Sequence, residues 1–148
     1  MPPAYRRPGC HHDQVDPLAI VQLTLRIALA LVFAGMGVLH FVPAVARGMR
    51  AMIPARLHPV RGALVAATGV CELAGAAGLL TPWPLLRFVT GIALIAFLIA
   101  VFPANAVAAA DRDRFGPSAV PYAPRLLAQL ALVALVLAAT APLSGVLR

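Results

Sequence analysis

Few residues of this chain can do chemistry, and the most telling ones sit in apolar surroundings. Glu72 is the single acid between Asp16 and Asp111. It lies within AATGVCELAGAAGLL, residues 66–80, where every other position is apolar or small. A carboxylate inside such a run costs about 2.5–3.5 kcal/mol on insertion scales, so it persists where it is paired, faces a bundle interior or lines a wet path. Arg26 is the isolated charge of the first apolar run, and Arg87 stands near the start of the third. Counted inward from Leu18 and from Leu80 at ~1.5 Å per residue, Arg26 and Glu72 both fall roughly 12 Å below one face, with Arg87 starting about 6 Å below it. The matching depths predict an intramembrane ion pair, Arg26 with Glu72, and Arg87 as the other available partner. Arg87 alone would snorkel outward. A pair of this kind fixes helix register. A Glu72 without an arginine would instead be a candidate proton carrier.

A second polar group collects at the other ends of the runs. His40 closes the first, Asn105 closes the third, and Arg125 opens the fourth with Gln129 one turn deeper. Each taken alone is an ordinary boundary residue. Converging, they would form a pocket that holds a polar headgroup, such as that of a quinone, by hydrogen bonds.

The elements that must position these residues follow from hydropathy. The chain has 148 residues, 61% hydrophobic and 11% charged, with mean hydropathy +0.90. Soluble domains average about 25% charged residues, so a soluble fold of this length could not cover its surface. The expected architecture is all-α, a single transmembrane bundle of four helices over residues 18–148, behind a polar N-terminal tail at 1–17. The spans are expected near 18–42, 60–80, 85–102 and 125–141, each long enough for about 30 Å of hydrocarbon. Between the first two, Val45, Met49, Met52 and Ile53 share one helical face while Arg47 and Arg50 occupy the other. That pattern predicts a short interfacial helix. In the second span, Ala67, Cys71, Gly75 and Gly78 make a stripe of small residues that would let a neighbouring helix approach closely. TPWP, residues 81–84, turns the chain and places Trp83 at the interface.

All twelve basic residues are arginine, the net charge is +7 and the pI is about 11.3. Many of these arginines lie in connections between apolar runs, which argues for a bilayer and against nucleic acid as the partner. Arg47, Arg50, Arg56, Arg61, Arg112, Arg114 and Arg125 gather on one side; Arg6, Arg7, Arg87 and Arg148 lie on the other. The positive-inside rule therefore puts both long connections inside and both termini outside the cytoplasm. The tail carries Cys10, His11, His12 and Asp13. Residues in direct succession cannot all face one ion, so no metal site is expected there. Cys10 and Cys71 form no CxxC motif, and no disulfide is expected.

Several short stretches resemble the DoxX-like family of small four-span membrane proteins: His40-Phe41, Met52-Ile53-Pro54, the GVCE of Gly69 to Glu72, and Phe102-Pro103-Ala104-Asn105. RLLAQ, Arg125 to Gln129, is similar to the family's RLPLQ but has Leu127 and Ala128 where that pattern has Pro-Leu, which puts a kinked start to the fourth helix in doubt. The resemblance covers about residues 20–140. It implies a four-helix bundle in the plasma membrane and a link to quinone-dependent redox complexes, with other membrane or redox proteins as partners.

Three functions remain open on the sequence. One is an accessory or subunit of a membrane redox system, with a quinone in the His40, Asn105, Arg125 and Gln129 pocket. The chain carries no haem pair, flavin motif or thiol pair, so electron chemistry would belong to a partner and the chain is not expected to be an enzyme on its own. Another is a small proton-coupled transporter using Glu72. The third is a membrane scaffold without a ligand.

Overall fold

The computed structural model describes residues 16–110 and 120–142. These form five α-helices and one 3₁₀ segment, with no strand among them. Helix α1 runs Pro17–Leu39, α2 Pro43–Ala51, the 3₁₀ segment Ala55–Val60, α3 Arg61–Leu79, α4 Pro84–Ala110 and α5 Tyr122–Thr140. Proline marks several of the starts: Pro17, Pro43 and Pro84 each open a helix, where the missing N–H would have no intrahelical acceptor. Asp16 caps α1, its carboxylate accepting from the Leu18 amide at 2.9 Å.

Four segments are long and apolar enough to cross a membrane: Pro17–Leu39, Ala55–Leu79, Pro84–Val107 and Tyr122–Thr140. The protein is thus an integral, multi-pass membrane protein. The interfacial helix expected between the first two spans is α2. Its arginines Arg47 and Arg50 are exposed, Ala46 is buried and Val45 and Met49 are half-buried, with Met52 and Ile53 just beyond its end.

The long helices pack in a ring. α1 touches α3 and α5, and α4 touches the same two, so α1 and α4 stand diagonally opposed. The core is thin and central: Leu29, Ala30 and Phe33 of α1, Ala76 and Leu79 of α3, Leu94 and Leu98 of α4, and Val136 and Ala139 of α5. The outer surface is apolar as well. Leu31 is 70% exposed and Leu85 75%, a distribution that only a hydrocarbon solvent tolerates over a whole bundle.

Close approach depends on glycine at two kinds of place. Gly37 and Gly69 face each other where α1 crosses α3, and a Cβ at Gly69 would lie 2.7 Å from the His40 Cβ and 3.1 Å from the Gly37 carbonyl oxygen. Gly75 and Gly78 meet Leu94 and Thr90 of α4. The expected stripe through Ala67 and Cys71 does not form, since both are exposed. A strict four-residue repeat drifts by about 40° per step around the helix. The buried line runs instead through Val65, Gly69, Glu72, Ala76 and Leu79, alternating steps of four and three.

Two polar side chains stitch the ring. Gln22 of α1 donates to the carbonyls of Ala138 (3.1 Å) and Ala141 (3.0 Å), capping the end of α5. Gln129 of α5 donates to the Leu98 carbonyl of α4 at 2.9 Å. Pro103 lies inside α4, donates no N–H and disturbs the carbonyls one turn before it.

Candidate functional site

Glu72 is buried at the α1–α3 crossing, and its partner is His40, not an arginine. His40 is the C-terminal cap of α1. Its ring turns back along the helix, placing Nδ1 2.9 Å from the Met36 carbonyl oxygen and 3.1 Å from Glu72 Oε2. Both side chains are 11% exposed, nearly enclosed yet reachable. A carbonyl oxygen only accepts, so Nδ1 carries its hydrogen in this arrangement and directs it to Met36. Glu72 Oε2 is then close to the nitrogen but has no donor aimed at it, a buried oxygen without a hydrogen bond. With Nδ1 committed, Nε2 is the ring atom able to take up a proton.

A half-open cavity of about 300 Å³ borders His40. His40, Arg47, Arg50, Gly62 and Val65 are among its walls, so it runs from His40 to the arginine-rich connection. The glycine at position 62 has open space beside it.

The expected ion pair of Arg26 and Glu72 is not formed. Neither Arg26 nor Arg87 comes within 4 Å of the carboxylate. Depth counted from the span ends assumed that the two helices end flush. The close contact instead sets Gly37 opposite Leu73 and Gly69 opposite His40, which brings Glu72 level with Gly37. Arg26 lies about 16 Å further along α1 from that level. Arg26 and Arg87 both line a second cavity, near the opposite ends of the helices.

The four-residue headgroup pocket is divided in the same way. Arg125 donates from Nη1 to Asn105 Oδ1 at 3.2 Å and from Nε to the Val120 carbonyl at 3.1 Å. Gln129 is engaged with Leu98 as described. His40 borders its cavity with residues of α2 and α3, and Asn105, Arg125 and Gln129 are not among the walls. Among the described residues, no group of three or more His, Cys, Asp or Glu side chains could hold a metal ion. The tail residues Cys10, His11, His12 and Asp13 lie outside the described residues.

The His40–Glu72 contact escapes sequence reading because a histidine at a helix end looks like a boundary residue. One signal was available: each of the two residues follows, three positions on, a glycine of the crossing.

The fold and site together define a small polytopic membrane protein with a carboxyl–imidazole pair buried between its first two spans. Residues 29–140 match the family described as Domain of unknown function (DUF8561), and the chain belongs to that family. The matched stretch holds His40, Glu72, Arg87, Asn105, Arg125 and Gln129, and begins just after Arg26. No curated protein and no solved structure matches the chain.

Proposed function

We propose that this protein is a small proton-coupled transporter of the plasma membrane whose proton-carrying site is His40–Glu72. The observation that carries the reading is the position of Glu72: buried in the bundle, 3.1 Å from an imidazole and apart from every arginine of the described residues that could lock it as a permanent anion. A proton arriving through the cavity beside Arg47 and Arg50 would reach His40 first and Glu72 next. Its arrival changes the charge at the tightest contact between α1 and α3, where a small displacement alters the packing of both. The solute would be moved by that displacement.

A second reading keeps the same dyad and changes its client. The resemblance of His40-Phe41 and Gly69–Glu72 to DoxX-like motifs, with the cavity bordered by His40, supports a quinone headgroup there. Reducing a quinone to a quinol takes two electrons and two protons; a redox partner would supply the electrons and the dyad would pass the protons. Under this reading the chain is an accessory of a membrane redox system.

Infrared difference spectroscopy of the reconstituted protein tests the shared element. Stepping between about pH 5 and pH 8, where imidazoles ordinarily exchange protons, should change a carboxyl band that disappears in Glu72→Gln. A spectrum identical in the wild type and in Glu72→Gln would end both readings. Co-purification of a quinone in stoichiometric amount, lost on His40→Ala, would put the redox reading first.

A further inference from the structure

The second cavity, of about 640 Å³, opens at the ends of the bundle remote from the dyad. α1 contributes Ala19, Gln22 and Arg26, α4 contributes Leu85, Arg87 and Phe88, and α5 contributes its last turn around Thr140. Two half-buried arginines from diagonally opposed helices thus face one space. Arg26 Nε donates to the Gln22 carbonyl at 3.2 Å, one turn nearer the helix start, which draws the guanidinium toward the membrane surface. That contact leaves the other donors of its guanidinium uncommitted. Arg87 makes no hydrogen bond or ion pair among the described residues.

Among the described residues, no acid compensates the charge at this cavity. Only Asp16 and Glu72 are acids within the described residues. The Asp16 carboxylate caps the Leu18 amide, and Glu72 lies at the other site. The C-terminal carbonyls of α5, which could have offset positive charge, include two already taken by Gln22. Two cations near hydrocarbon with no anion between them are costly to keep unless one is brought in. The remaining walls decide its nature. Leu85, Phe88, Ala19 and Ala139 are apolar, so the space offers a charged end and a greasy side.

We infer that this cavity binds the phosphate of an anionic phospholipid, with Arg26 and Arg87 clasping the headgroup and the acyl chains lying along Leu85 and Phe88. Guanidinium forks match phosphate oxygens in geometry as well as charge. Basic pockets between membrane helices hold anionic headgroups in this manner. The inference is independent of the proton-carrying dyad and uses none of its residues.

Native mass spectrometry of protein released from nanodiscs made of phosphatidylcholine with phosphatidylglycerol tests it. The wild type is expected to retain phosphatidylglycerol preferentially. Arg87→Gln, which breaks no hydrogen bond or ion pair among the described residues, should weaken that retention about tenfold, the usual scale for a charged hydrogen bond. Arg26→Gln with Arg87→Gln should abolish it, and Arg87→Lys should restore part of it. Equal retention of the two lipids by the wild type, or full retention by the folded Arg87→Gln protein, overturns the inference. Displacement of phosphatidylglycerol by millimolar inorganic phosphate would also overturn it, since the site would then belong to a soluble anion.

Discussion

Substituting Gly69 by alanine tests the crossing on which the dyad depends. The added methyl would lie 2.7 Å from the His40 Cβ, 2.8 Å from Phe41 Cε2 and 3.1 Å from the Gly37 carbonyl oxygen. Carbon atoms pack best at about 3.5–4.0 Å, so the shortfall is roughly 1 Å. Phe41 can rotate away, but the His40 Cβ is fixed to its backbone and the Gly37 oxygen is backbone. The two helices must therefore part. Overpacking of this kind costs about 1–3 kcal/mol. Alanine offsets it with a helix-propensity gain of about 1 kcal/mol. Gly35→Ala carries the same gain without the clash, because nothing lies within 4 Å of its added carbon. The difference between the two variants isolates the steric term, so Gly69→Ala should be about 1–3 kcal/mol less stable than Gly35→Ala in a reversible denaturation of the micellar protein. Parting the helices also lengthens the 3.1 Å contact of His40 with Glu72, so the infrared carboxyl change should be altered in Gly69→Ala alone. Equal stabilities and equal spectra for the two variants would refute the crossing.

Other substitutions separate the remaining contacts. His40→Ala and Glu72→Gln should be non-additive in stability by about 0.5–3 kcal/mol, whereas Arg26→Ala and Glu72→Gln should add within about 0.5 kcal/mol, as unconnected sites do. Gln129→Leu should destabilise the protein by about 0.6 kcal/mol, the average for interhelical hydrogen bonds in a membrane, in the same denaturation assay. If the arginine-rich connections face the cytoplasm, a reporter at the C-terminus should be active outside and one between α4 and α5 active inside.

The four spans were legible because hydropathy and proline carry them. The composition excludes a soluble fold, and Pro17, Pro43 and Pro84 each stand where a helix opens. The interfacial helix was legible for the same kind of reason, since Val45 and Arg47 fall on opposite faces by periodicity alone. The errors have two physical sources. The sequence punctuates the third span near Phe102 while leaving helix free to continue through residues 106–110, and α4 does run on through Pro103 to Ala110. Proline is tolerated inside membrane helices, where local adjustments re-satisfy the freed backbone groups, so Pro103 does not end α4. Gln129 reads as a pocket residue in the sequence because its bond to a carbonyl on another helix leaves no local trace.

The second source is register, and it decides the chemistry. Sequence gives the position of a residue along its own helix, while a contact depends on how far two helices have slid past each other. That offset is set by where they can come closest, and the closest approach belongs to the pair that lacks side chains, Gly37 and Gly69. Once those two meet, Glu72 must fall beside the end of α1, where His40 is, and Arg26 is carried about 16 Å out of reach. Arg26 faces instead the cavity that Arg87 of α4 also lines. The buried acid beside an imidazole is therefore a consequence of one sliding choice. Moving the glycine contact by a single turn should disturb it.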